Sequence, residues 1–428
     1  MASKKVRKPP MPQQIVPAAN FAAAFQALEN DLEDRALFDA YYVPRKHSPA
    51  GRLKAALETG SGPCKILYSG QNKSGKTTEL LRLVHDLEGT HLVVFLSVQR
   101  DMEPGDVQAL DLLLLSAARL CENARKAGVK LGRELEKLME DLLLQNTSEV
   151  FKTKVTEKAG GGGVGAKLDV ALFELGGNYR IDQTLRTEVR QKLEPKVSQL
   201  VEVFDMLSAK VRQSGKEPLV VVDDLEKIDV EPAEKLFRLH AATLTRPRCR
   251  MIYTVHKAME YLPSWNSIRN SFDDAVEVYP VRIAERDGSP HEEGLELLRN
   301  ILRRRMGEDL FEPDAFRQVV CCCNGVLSDL LNLARKTCLS AIEAKSARIA
   351  WNVVDRHWQD LTINYQRMID ERLYPKVADV AKTREGRKDE DLSKLLHMLA
   401  VIEYRDEQGI YYDVHPAVKP LLERRKLI

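Results

Sequence analysis

One octapeptide constrains this chain more than anything else in it. Gly70-Gln71-Asn72-Lys73-Ser74-Gly75-Lys76-Thr77 follows, after Ser69, on the largely apolar run Cys64-Lys65-Ile66-Leu67-Tyr68. The spacing G-x-x-x-x-G-K-[ST], after a strand and before a helix, makes a loop whose backbone N–H groups converge on a phosphate chain. Gly70 and Gly75 let the backbone curl. Leu80, Leu81, Leu83, Val84 and Leu87 predict an amphipathic helix from about Thr77. Its N-terminal partial positive charge faces the same anion. Lys76 is expected on the β- and γ-phosphates and the Thr77 hydroxyl on Mg2+. Gly70 through Thr77, with Thr78 beside them, form the candidate nucleotide-binding set.

A loop of this kind serves a parallel sheet, and the chain supplies further buried strands. His91 to Val98 is a continuous apolar run of the sort covered on both faces. Pro218-Leu219-Val220-Val221-Val222 ends in Asp223-Asp224, so the strand delivers carboxylates to the sheet edge where open α/β folds bind ligands. Asp223 is the candidate Mg2+ ligand. Asp224 is placed to orient an attacking water, with Glu226 as the alternative. Arg250 to His256 and Ala275 to Val281 complete the strand set, with helices between. Strands alternating with helices predict an α/β class, doubly wound around a parallel sheet.

The 428 residues suffice for two to four domains. Residues 1–18 read as a basic, Pro-rich disordered tail, and 19–290 as the phosphate-loop core. Within the core, about 147–182 reads as an insertion. The glycines Gly160 to Gly163 and Gly176-Gly177 flank a partly alternating segment, Lys167 to Leu175, which predicts a β-hairpin or small flexible module for partner contact, dispensable for nucleotide binding. Gln183 to Val211 reads as one long helix that Pro195 can kink. Residues 291–385 read as a helical lid. Residues 386–428 give helix, strand, turn, strand, helix, a winged-helix outline. The net charge of +2 leaves nucleic-acid binding to a local patch. No stretch is apolar enough for a bilayer, and Pro9, Pro10 and Pro12 stand where a signal peptide needs an apolar core. Cys321-Cys322-Cys323 lack metal-ligand spacing and read as buried small apolar residues. A reduced, cytoplasmic protein is expected.

In the order of these parts the chain resembles bacterial AAA+/STAND-type P-loop ATPases, the group that includes origin-recognition-like and NACHT-like proteins. The matching pieces are Tyr42-Val43-Pro44-Arg45, the phosphate loop, Val220 to Asp224, Tyr253-Thr254, Phe311 to Arg335 and the closing winged helix. The resemblance implies ATP and Mg2+ as ligands and slow, switch-like hydrolysis. It implies Arg45 near the nucleotide and Thr254 as the polar residue sensing the γ-phosphate. The lid departs from the pattern, because Gly325 is followed by Ser328 where an arginine is usual; Arg335 is the substitute. A homo-oligomer is implied, with Arg246, Arg248 or Arg269 reaching a neighbour's site. So is a signalling role in bacterial conflict or phage defence through a separate effector protein. The alternative is a DNA-binding initiator or loader using the winged helix. The wing residues Glu403, Arg405, Asp406, Glu407 and Asp413 are net acidic, which argues against that alternative.

Overall fold

The computed structural model describes residues 17–29, 32–60, 62–160 and 163–428. The expected tail lies almost wholly outside them. Five strands form one parallel sheet: β1 (Lys65–Gly70), β2 (His91–Ser97), β3 (Glu217–Asp223), β4 (Arg250–His256) and β5 (Asp274–Val278). Their spatial order is β2-β3-β4-β1-β5. Every residue of β1 and β4 is buried, which is why these runs carry no polar alternation. Leu80, Leu83 and Leu87 of the helix Lys76–Leu87 cover one face with Leu53 and Leu57. The helices Ala109–Lys126 and Val197–Gln213 cover the other. The register brings Gly70 opposite His256, Tyr68 opposite Thr254 and Ser97 opposite Asp223, so one sheet edge collects the chemistry.

The segment at 147–182 is helical, not a β-hairpin. Helices Glu149–Ala159 and Val164–Asn178 pack together, with Lys154 and Lys158 both on Glu174. Leu168, Val170 and Leu172 read as alternation, but Leu168, Ala171, Leu172, Leu175 and Tyr179 recur at three- and four-residue spacing and are buried. They belong to the main core, so the segment is no loose module. Gly176 and Gly177 lie inside the helix; Gly161 and Gly162 fall outside the described residues. The Tyr179 hydroxyl donates to buried Asp111 at 2.6 Å and ties the pair to the core helix. The long helix after it breaks at Glu194-Pro195-Lys196, where Pro195 lacks the N–H a continuous helix requires.

Beyond β5, helices Glu292–Arg303, Pro313–Cys322, Leu327–Glu343 and Trp351–Met368 enclose their own core around Leu298, Val319, Leu330 and Val354. Cys322 and Cys323 are buried there as small apolar groups, and all seven cysteines are free. The C-terminal unit combines Tyr374–Thr383, Glu390–His397 and Lys419–Arg424 with an antiparallel hairpin, β6 (Val401–Asp406) and β7 (Gly409–Val414). Among the described residues, no helix is long and apolar enough to cross a membrane.

Candidate functional site

The phosphate loop spans the end of β1 and the start of the helix Lys76–Leu87. Gly75 has φ +91, a left-handed conformation open to glycine at little cost. A Cβ there would run into the Arg45 guanidinium and stand 2.9 Å from Leu327 Cδ1. Arg45 braces the loop from outside: Nη2 donates to the Ser74 carbonyl at 2.6 Å and Nη1 to the Tyr279 carbonyl at 3.3 Å. Glu79, one turn into the helix, neutralises it from 3.5 Å. A cavity of about 310 Å3 opens beside the loop, with Tyr42, Val43, Arg45, Lys76, Thr77 and Leu327 in its wall.

Lys76 is buried, and its ammonium turns back on the loop. It donates to the Gly70 and Gln71 carbonyls at 3.0 Å each and lies 3.2 Å from Glu226 Oε1. Asp223 closes β3, fully buried, and neither carboxylate oxygen has a hydrogen-bond partner. Burial first, then Glu226 and Asp224, push its carboxyl up to about 7; the Thr77 hydroxyl is near enough to oppose the shift. Asp223, Asp224 and Glu226 each offer an oxygen within 4.8 Å of the others. Orphaned carboxylate oxygens beside a threonine hydroxyl form a hard donor set that fits Mg2+.

Asp224 lies in the same cluster, with its carboxylate already engaged. It sits at φ 68, accepts from the Ser97 hydroxyl, and is 2.5 Å from Lys227 Nζ. That conformation turns its carboxylate toward β2. Glu226, the alternative, is the carboxylate that meets Lys76. Thr254 lies buried on β4 and its hydroxyl accepts from the Leu225 N–H at 3.0 Å, so it holds the turn carrying both carboxylates. Arg335 is not at the site: it pairs with Glu29 at 2.7 Å and lies over the Phe25 ring. Helix periodicity explains the miss, since it carries Arg335 past the loop-facing end that Leu327 occupies. Arg246 binds Ser198, Arg269 faces Asp274 at 3.5 Å, and the Arg248 backbone N–H donates to Asp205.

Motif reading did not anticipate the seam between this edge and the C-terminal unit. Lys257, just past β4, lies 2.9 Å from Glu403 of β6, 2.5 Å from Glu260 and 3.4 Å from Glu277. Tyr261 donates to Glu403 and meets the Tyr412 hydroxyl at 2.8 Å. His256 and His397 share a ring-nitrogen contact of 3.0 Å; burial first, then His397 and Lys76, drop His256 to about 2, so the pair is neutral. Lys73 of the loop contacts Asp329 at 3.4 Å, and His415 lies 3.5 Å from the same carboxylate.

No family model matches the chain, and no curated protein matches it. Solved structures similar in outline include the Orc1 protein of Aeropyrum pernix in complex with DNA, at 12% identity over 94% of this chain and 97% of that one, TM-score 0.42. Drosophila ORC bound to DNA gives 11% over 97% and 93%, TM-score 0.43. The RuvB Holliday junction branch migration motor of Thermotoga maritima gives 11% over 89% and 94%, TM-score 0.36.

Proposed function

We propose that this chain is an ATP-binding, slowly hydrolysing molecular switch. The buried Asp223 carboxylate beside Thr77 and Lys76 carries the reading, because burial and two neighbouring carboxylates leave it short of partners that a phosphate-bound cation would supply. ATP would take the cavity beside the loop, with its phosphates drawing Lys76 off the Gly70 and Gln71 carbonyls. Mg2+, held by Thr77 and Asp223, would neutralise phosphate charge when bound. Glu226, freed from Lys76, would orient the water that attacks the γ-phosphorus as the bond to the β-phosphate oxygen breaks. Thr254 would keep the Glu226 turn in register. Slow turnover follows from an arrangement in which Lys76 and Glu226 must first separate.

The C-terminal unit, read as a winged helix, would follow the nucleotide state because it docks on the loop edge. The wider role rests on the motif resemblance: a cytoplasmic signalling ATPase of bacterial conflict, acting as a homo-oligomer with a separate effector. A pull-down with the products of flanking genes addresses the effector. The second reading is a DNA-binding initiator or loader, and the hairpin's acidic residues do not oppose it, because they are spent on internal pairs. Asp406 pairs with Arg286 and Glu403 with Lys257, both at the seam.

The test is Mg2+-dependent ATP binding and turnover in wild type and Lys76→Ala, with and without duplex DNA. The switch reading expects binding and slow turnover that DNA leaves unchanged, and no binding in Lys76→Ala. Equal affinity in both proteins overturns the loop assignment. Turnover stimulated by DNA selects the initiator reading.

A further inference from the structure

We propose that Gln71 is a positioning residue that couples phosphate occupancy of the loop to docking of the C-terminal unit. The inference rests on the switch reading above and names the residue that transmits it. Gln71 is 1% exposed. Its Nε2 donates to the Val401 carbonyl at 3.0 Å and to the Leu396 carbonyl at 3.3 Å, and its Oε1 accepts from the Glu403 N–H at 2.8 Å. Residues two apart on a strand point their backbone groups the same way. The carboxamide therefore pairs with the outer edge of β6 as a neighbouring strand's peptide group would. The other edge of β6 is taken by β7.

The backbone of the same residue holds the phosphate-binding cation. The Gln71 carbonyl accepts from Lys76 Nζ at 3.0 Å and from the Ser74 N–H at 3.3 Å. Phosphates arriving at the loop compete for that ammonium and that N–H, so the Gln71 peptide loses its partners and is free to turn. The side chain, anchored on β6, either restrains the turn or lets go. A buried polar group left unpaired is costly, so docking and phosphate occupancy oppose each other through this one residue. Phosphate binding alone does not demand a glutamine here, because the x positions of the motif act through their backbone. The three bonds to a unit some 330 residues away in sequence are what require the carboxamide.

The experiment is hydrogen exchange at amides 401–406 in the full chain, without nucleotide and with saturating Mg2+ and a slowly hydrolysed ATP analogue. Wild type is compared with Gln71→Leu, which keeps bulk, and Gln71→Glu, which keeps the acceptor but sets a carboxylate against two carbonyls. Circular dichroism checks that each is folded, and a fluorescent ADP checks occupancy. In wild type the analogue is expected to raise exchange at Glu403. In both variants exchange there is expected to be raised about tenfold without nucleotide, the loss of one to two net hydrogen bonds. The further response to nucleotide should disappear. Unchanged nucleotide-free exchange in folded variants overturns the inference, whether or not they bind nucleotide. So does an undiminished nucleotide response. If wild type binds nucleotide and only these results fail, the switch reading stands without the Gln71 link. If wild type binds none, the switch reading itself falls, and the inference with it.

Discussion

Lys76 Nζ lies 3.2 Å from Glu226 Oε1, with both side chains buried at the edge where β1 and β3 flank β4. On the proposed reading, the cation that would bind phosphate is thus stored against the carboxylate that would face the reaction. Asp224, which precedes Glu226 by two residues, is engaged with Ser97 and Lys227 instead. Glu226→Gln is expected to keep ATP binding and lower turnover by about 100-fold or more, the usual cost of removing a water-orienting group. Asp224→Asn keeps the Ser97 contact and is expected to lower turnover by less than about tenfold. Steady-state turnover with measured ATP affinity separates them, and the reverse ranking returns the role to Asp224.

The seam should respond to pH in a fixed direction. One ammonium, Lys257, stands among Glu260, Glu277 and Glu403. Burial opposes charge on Lys257, and the three carboxylates outweigh it and raise its hold on the proton. Burial first, then Glu277, lift Glu260 from 4.5 to about 7 against the pull of Lys257. Burial also raises Glu403. Carboxyls raised in the docked state take up protons on docking. Docking is therefore strongest at low pH, weakens as pH rises from about 4.5 to 7, and levels off above that. Small-angle scattering across this range should show an expanding particle, and Glu260→Gln with Glu403→Gln should flatten the response. Compaction with rising pH sinks the idea.

Gly325 supplies a stability test where the helices beyond β5 meet the segment that follows the sheet. It sits at φ +75, and its carbonyl accepts from the Val281 N–H at 3.3 Å. A Cβ at this position would overlap the Val281 carbonyl. Gly325→Ala combines left-handed strain with that overlap, so a loss of about 2 kcal/mol or more is expected in denaturant unfolding. Gly128 is the control: it also has a positive φ, +74, but its Cβ would meet open space, so Gly128→Ala should cost only the strain. Equal losses at both positions would show that the Val281 overlap contributes nothing.

What was legible in the sequence was local. The phosphate loop, the strand ending in Asp223 and the burial of β4 each announce themselves within about ten residues, because motif spacing and hydrophobic period act at that range. Arg45 came from the family resemblance, and the fold sets its guanidinium on the Ser74 carbonyl of the loop. How the two carboxylates are engaged was not legible: Asp224 takes a positive φ and meets Ser97 and Lys227, while Glu226 meets Lys76. Nor was the link from Gln71 to β6, whose partners are far apart in the chain and lie mostly in backbone that any residue would supply. The partner of Arg335 is Glu29, which no sequence pattern selects.

The helical pair at 149–178 gives the last test, since there the period was read wrongly. Alternation would send adjacent residues to opposite faces, whereas a helix stripe can bury two neighbours together. Ala171 and Leu172 are both buried in the main core, and Phe173 is 75% exposed. Leu172→Ala is expected to lower unfolding free energy by about 2–5 kcal/mol, as a core truncation does. Phe173→Ala should cost within about 0.5 kcal/mol, as surface changes do. Ala171→Asp should be at least as damaging as Leu172→Ala, because it buries an unpaired charge on the same stripe. Removal of residues 147–182 should then unfold the core and not leave nucleotide binding intact. A truncated protein that unfolds cooperatively near the wild-type midpoint would show that the pair is an accessory after all.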